Sequence, residues 1–149
     1  MTPEQEAMSR VAKTVFHLNG QLLAIAEDLA GPAGLTASRW QVLATVLTTP
    51  LSVAQVAREL GLARQSVQRV ADILVEQGLA TYEPNPSHQR AKLLVPTDSG
   101  RQAVRRIRPA HAELAARLAD KLGLDGLQRL ADALDEYSRV LDAVEPPRQ

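Results

Sequence analysis

The 149-residue chain contains no cysteine. Disulfides, thiol nucleophiles, thiolate metal sites and thiol-based redox sensing are therefore excluded together. Its three histidines, His17, His88 and His111, are scattered and show none of the spacings that ligate a metal. No apolar run approaches the roughly 20 residues that span a bilayer. The opening MTPEQEAMSR is polar and has no apolar signal core. A soluble cytoplasmic protein is the expectation. Signatures of catalysis are missing as well. Ser52, Ser66, Ser87 and Ser99 stand in no nucleophile-elbow setting, and no glycine-rich phosphate loop occurs. Asp132, Asp135 and Glu136 are spaced as the polar side of an amphipathic helix. No enzyme activity, metal or cofactor is expected, because convergent reactive groups are absent.

Net charge is also missing, since 17 basic residues balance 17 acidic ones. Their distribution is uneven. Residues 51–108 carry nine basic and five acidic residues, whereas residues 109–149 carry five and eight. Residues 1–50 carry three and four. A basic centre between acidic ends suggests a nucleic-acid-facing middle flanked by segments with another task. The hydrophobic fraction of 45% is enough for the core of one domain.

What the sequence does contain is helical patterning. Thr2-Pro3-Glu4-Gln5 is a capping box with proline at the first helical position. Met8, Val11, Val15, Leu18, Leu22, Ile25 and Leu29 then repeat at alternating steps of three and four, a heptad-like seam ending at Gly31-Pro32. Such a seam packs either on its own core or, in part, on a second subunit. Thr36 caps a second helix to about Thr48, with Trp40, Leu43, Ala44 and Leu47 on one face. Ser52 and Gln55 form a second capping box, with Leu51 and Val56 at hydrophobic-staple spacing. This third helix is short and stops at Gly61. A fourth runs to about Gln77, closed by Gly78.

After Gly78 the pattern predicts two short strands joined by a mobile, turn-rich tip, Pro84 to Arg90. Thr97 caps a long helix carrying Val104, Ile107, His111, Leu114, Leu118 and Leu122 on one side, with Pro109 inside as a kink. Gly123 ends it. A last helix presents Leu127, Leu130, Leu134, Tyr137, Leu141 and Val144. The closing EPPRQ is expected to fray.

The fourth helix, GLARQSVQRV and onward, carries the functional signal. At 100° per residue, Val67, Val70, Ala71 and Leu74 share one face and Arg64, Gln65, Gln68 and Arg69 the other. Asp72 and Glu76 follow on the polar side, so only the N-terminal end suits a polyanion. Arginine and glutamine pair with guanine and adenine edges in the major groove. A short helix, a glycine turn and a second helix with such a face are the parts of a helix-turn-helix. Equally, arginine and glutamine are good helix formers on a solvated surface. The hairpin after it reads as a wing, with His88, Gln89, Arg90 and Lys92 placed to reach backbone or a narrow minor groove. Charged guards against edge-strand pairing are the other reading of Arg90 and Lys92.

The order of elements, with "LSVAQVARELGLARQSVQRVADILVEQGLA" and the "PNPSHQRAKLLVPTDSG" hairpin, resembles the MarR family (multiple-antibiotic-resistance-type regulators) over nearly the whole chain. The resemblance is most specific between Leu51 and Gly100. It implies a mainly α fold of α+β type, a winged helix-turn-helix with long N- and C-terminal dimerisation helices. Residues 1–34 and 99–149 would form the dimerisation helices around a DNA-binding lobe at 35–98, the whole intertwined as one domain. Carried over by position, Arg64, Gln65, Ser66, Gln68 and Arg69 face the groove, and Arg90 sits at the wing tip. The implied dimer interface contains Met8, Val11, Val15, Leu118, Leu122, Leu127, Leu130, Leu134, Tyr137 and Leu141. The implied function is a ligand-responsive transcriptional repressor, a homodimer on double-stranded DNA with half-sites about 34 Å apart. A small aromatic or phenolic effector is implied, with His17 and Trp40 as candidate liners; core packing is the plainer role for Trp40. Three positions depart from the family pattern: Ala63 replaces a capping residue, Asn85 and His88 stand where acids brace the wing, and Pro96 replaces a leucine. The alternative is a winged-helix protein-interaction module without specific DNA reading.

Overall fold

The computed structural model describes residues 1–146, so the end of the EPPRQ tail lies outside the described residues. Among the described residues, six α-helices and a small sheet follow in the order α1 (Pro3–Ala30), α2 (Ala37–Thr45), β1 (Leu51–Ser52), α3 (Val53–Leu60), α4 (Arg64–Glu76), β2 (Ala80–Glu83), β3 (Leu93–Pro96), α5 (Asp98–Leu122) and α6 (Leu124–Val144). The mainly helical fold with one small sheet is the expected one. No helix among the described residues is long and apolar enough to cross a membrane.

Local chemistry explains most boundaries. Thr2 Oγ1 accepts from the Gln5 amide while the Gln5 side chain accepts from the Thr2 amide, so both orphan donors at the start of α1 are satisfied. Ser52 and Gln55 repeat the arrangement at α3. The Arg39 amide donates to Thr36 Oγ1 at 3.2 Å, capping α2. Gly61 ends α3 in the left-handed region at φ 65°. α4 ends with the Gly78 amide on the Val75 carbonyl and the Leu79 amide on the Leu74 carbonyl.

Four details differ from the sequence expectations. α1 does not stop cleanly at Gly31-Pro32. A 3-10 turn, Gly31–Ala33, prolongs it, and Gly34 is the residue that turns left-handed, at φ 78°. Proline at the start of that turn fits, since its fixed φ suits helical geometry and it needs no donor. α2 ends at Thr45 rather than near Thr48, and its buried side is Val42 and Leu43, with Val46 just beyond, while Ala44 is exposed. The sheet has three strands, not two. Leu51 and Ser52 pair with Leu94 and Leu93, giving the antiparallel order β1-β3-β2. Pro96 closes β3 opposite Ala80, beyond the reach of β1, so a proline interrupts no pairing on that side.

The chain divides into two compact units, Met1–Arg108 and Pro109–Gln149. α5 continues as helix through Pro109, although that residue denies the Arg105 carbonyl its usual donor. In the first unit the main core gathers Val42, Leu43, Val46, Val56, Val67, Ala71, Leu74 and Leu94, from α2, α3, α4 and β3. A second cluster joins Ala30, Ala33, Leu35, Ala103 and Ile107, with Leu29, Trp40 and Leu79 against it. In the second unit no residue of α6 is buried within the single chain.

Candidate nucleic-acid interface

Helix α4 is anchored by its apolar side. Val67, Ala71 and Leu74 are buried in the main core, and Val70 packs half-buried beside them. This docking leaves Arg64, Gln65, Ser66, Gln68 and Arg69 exposed together on the first two turns. Ala63 precedes α4 in an extended conformation and offers no capping side chain, so the first amides of the helix keep no partner from their own cap. A helix N-terminus with free amides favours an approaching anion.

The sheet holds the hairpin beside α4. Tyr82 pairs with Leu94 and Glu83 with Leu93, which leaves residues 84–92 as the connecting tip. Asn85 organises that tip: its Oδ1 accepts from the Ser87 amide at 3.0 Å, and its carbonyl accepts from the His88 amide at 3.2 Å. Asn85 thus builds an Asx-type turn. His88, Gln89, Arg90 and Lys92 are all exposed.

Between α3, α4 and the tip lies a cleft of about 280 Å³, lined by Ser52, Val53, Ala54, Arg64, Gln68, Tyr82, Arg90, Ala91 and Lys92. A neighbouring depression adds Gln55, Arg58, Asn85, Ser87 and His88. Among the described residues no carboxylate lines either hollow, while Arg58, Arg64, Arg90 and Lys92 do. Backbone geometry therefore brings sequence-distant cations to one concave surface, where they reinforce one another's field. Arg101, counted in the same basic centre, is used differently, since its Nη1 donates to the Leu47 carbonyl at 3.1 Å.

Three residues of this region carry contacts that helical spacing alone does not reveal. The Tyr82 hydroxyl donates to Asp72 Oδ1 at 2.6 Å. Gln68 Nε2 donates to the same Asp72 oxygen at 3.0 Å and to the Tyr82 hydroxyl oxygen at 3.0 Å. The Tyr82 and Gln68 hydrogen bonds hold the Asp72 carboxyl below its ordinary range. Burial, and then the Asp72 contact, pushes the Tyr82 hydroxyl above its own. Asp72 is thus a hydrogen-bonded anchor between α4 and β2, not simply an acid that bars phosphate from the later turns of the helix. Gln68 and Asp72 stand four residues apart on one helix, whereas the aromatic partner lies on another element.

The remaining candidates lie elsewhere. His17 is exposed on α1, and Trp40 is half-buried against the second core cluster. Met8 is 61% exposed, Leu122 51% and Leu134 42%, and Val11, Val15, Leu118, Leu130 and Leu141 are also exposed. Leu127 and Tyr137 are half-buried.

Comparison with known proteins assigns the architecture. The MarR-family profile matches residues 33–91, which contain the helix-turn-helix and most of the hairpin. Over 141 residues the chain is 39% identical to the uncharacterized protein Rv2011c of Mycobacterium tuberculosis, covering 95% of this chain and 99% of that one. Among solved structures, the MarR family transcription regulator SP03579 superposes with a TM-score of 0.78 at 19% identity, over 97% of both chains. A mutant MarR from E. coli, complexed with operator DNA, superposes at 0.76 and 19% identity, over 92% of this chain and 99% of that one. CouR from Rhodococcus jostii RHA1, bound to p-coumaroyl-CoA, superposes at 0.67 and 21% identity, over 93% and 94%. With its helix-turn-helix, its wing and the family profile over residues 33–91, the chain belongs to the MarR family, whose members are DNA-binding transcription regulators.

Proposed function

We propose that this protein is a sequence-specific regulator that binds a pseudo-palindromic operator as a homodimer and represses transcription until a small effector binds. The exposed Arg64, Gln65, Ser66, Gln68 and Arg69 on a helix whose other side is locked into the core are the observation that carries the reading. Arginine and glutamine so presented match guanine and adenine edges. The wing cations of the adjoining cleft, Arg90 and Lys92, supply phosphate contacts that set the register.

Dimerisation is supported by apolar side chains that one chain leaves uncovered on α1 and α6. A monomer seldom exposes so much apolar surface without a partner for it. A two-fold axis would place two recognition helices about 34 Å apart, one helical turn of DNA. The effector reading draws support from CouR, which is solved with p-coumaroyl-CoA. His17 and Trp40 remain the proposed liners, and the effector would act by binding better to a spacing of the recognition helices that does not fit DNA.

Fluorescence anisotropy on duplexes from the upstream intergenic region, with scrambled controls, tests the reading. Two subunits per duplex, selectivity over the scrambled sequence, and log affinity falling steeply with log salt are expected. Equal binding to both duplexes, or a shallow salt dependence, would favour a protein-interaction module instead.

A further inference from the structure

The hairpin that carries the wing is tied to α4 at few points. Along β2, Ala80 is buried and Tyr82 half-buried, while Thr81 and Glu83 are exposed. Side chains alternate across a strand, so Tyr82 is the last inward-facing residue before the tip. Its hydroxyl donates to Asp72 Oδ1 at 2.6 Å and accepts from Gln68 Nε2 at 3.0 Å. Gln68 Nε2 also lies 3.0 Å from Asp72 Oδ1. Those two acceptors are so close together that a single N–H pointing between them serves both, and Gln68 keeps its carbonyl and its other N–H for a base. The Tyr82–Asp72 bond thus joins hairpin to helix without consuming the groups that read DNA. Its acceptor is charged, which makes it one of the stronger kind. Among the described residues, the segment 80–92 makes no hydrogen bond to a helix except those of Tyr82. Within the tip, Ser87 and His88 bond back to Asn85, which closes the tip on itself and not on α4.

We propose that Tyr82 and Asp72 are positioning residues for DNA binding: their bond fixes the wing relative to the recognition helix, so that Arg90 and Lys92 meet the DNA backbone in the register that the base contacts of α4 set. This rests on the DNA-reading role of α4 and the wing proposed above. Arg90 and Lys92 share one cleft with Tyr82, Gln68 and Arg64, so the tie lies between the two sets of groups it would hold in register. A hairpin without it keeps its cations, but ordering that hairpin on the duplex then costs part of the binding energy its contacts supply. Neither partner needs to touch DNA. The wing contacts and the Tyr82 hydroxyl should therefore be energetically coupled, although Tyr82 and Arg90 stand on different parts of the hairpin.

The experiment is a double-mutant cycle on operator affinity, with the full-length protein, between Arg90→Ala and Tyr82→Phe, which keeps the ring and removes only the hydroxyl. Tyr82→Phe should weaken binding, and the loss caused by Arg90→Ala should be smaller in that background by about threefold or more, as expected of coupled residues. Asp72→Ala should reduce the Arg90→Ala loss likewise; because it also removes a negative charge near the DNA, it is read through the cycle and not through its own affinity. Additive effects of Arg90→Ala with both variants overturn the proposal. So does coupling of Tyr82→Phe to Gln68→Ala alone, which would assign the hydroxyl to the base contact. A second readout needs no DNA. The chain has no cysteine, so a nitroxide on Gln89→Cys reports the tip alone. Its spectrum in the free protein should show faster motion with Tyr82→Phe than without it, and identical spectra overturn the proposal. Absence of selective DNA binding by the wild type overturns the regulator reading instead, and is distinct, because the nitroxide still decides whether the bond holds the wing.

Discussion

Arg69 and Arg90 carry the same charge on different supports, and their removal should have different consequences. Arg69 stands on a helix whose far side is buried, so the core holds the backbone that carries it. Arg69→Ala should weaken operator binding by about 1–3 kcal/mol and relax the preference at one position. Arg90 projects from the hairpin tip. Arg90→Ala should weaken binding evenly across sequences and reduce the salt slope by about one. Titration on duplexes of differing sequence separates the two. The Asp72–Tyr82 contact makes a further prediction. Asp72 is held below its ordinary 3.8, so its contribution to stability is present above that value and disappears as pH falls through the folded-state value. Tyr82 is raised above its ordinary 10.0, so its contribution is present below that value and disappears as pH rises through the folded-state value. The stability difference between wild type and Tyr82→Phe should accordingly be level between these limits and shrink beyond either, as measured by denaturant unfolding at each pH. Helical spacing made the exposed arginines and glutamines of α4 legible in advance. It could not reveal Tyr82, because that contact depends on where a later strand returns.

Among the elements, α4 and α5 begin in contrasting ways. α4 has no side-chain cap, and Ala63→Ser should stabilise the fold by about 0.5–2 kcal/mol through a bond to an amide of the first turn. Thermal and denaturant unfolding would register the gain. α5 starts with Thr97, whose hydroxyl donates to the Gly78 carbonyl at 2.7 Å and accepts from the Gly100 amide at 3.1 Å. The Thr97 amide also donates to the Leu79 carbonyl at 3.1 Å. These bonds draw the first turn of α5 against the end of α4 so tightly that a Cβ on Gly100 would collide with the Leu79 carbonyl. Gly100→Ala should destabilise by about 1–3 kcal/mol, with unfolding midpoints as the readout. Caps at Thr2, Thr36, Ser52 and Thr97 were legible because each concerns residues three apart. β1 was not, because two residues carry no alternation and their partners, Leu93 and Leu94, lie after two intervening helices and a strand.

For the molecule as a whole, the distribution of apolar surface is the main constraint. The core of the first unit is closed, whereas no residue of α6 is fully buried within its own chain and Leu124 and Val144 are 64% and 69% exposed. If these side chains meet a second copy, replacing Leu134 and Leu141 together by glutamate should give a monomer that remains helical. Its operator affinity should fall by about 100-fold or more, because two linked half-site contacts become one. Sedimentation velocity with circular dichroism checks the first expectation and anisotropy the second. The charge pattern was legible at this scale too, since the basic middle of the chain corresponds to the lobe that holds the cleft. What the count could not distinguish is use: Arg101 braces the Leu47 carbonyl, while Arg58, Arg64, Arg90 and Lys92 line the cleft and its neighbouring hollow.

Sequence by itself determined whatever depends on near neighbours. Capping, helical periodicity, the left-handed glycines at 61 and 78, and the polar face of α4 all follow from residues a few positions apart, where backbone geometry leaves little choice. Only tertiary structure decided what depends on the return of the chain. The third strand, the shared cleft of α3, α4 and the wing, the engagement of Arg101 and the Asp72–Tyr82–Gln68 network each join separate elements. Their formation depends on how the core packs rather than on any local preference.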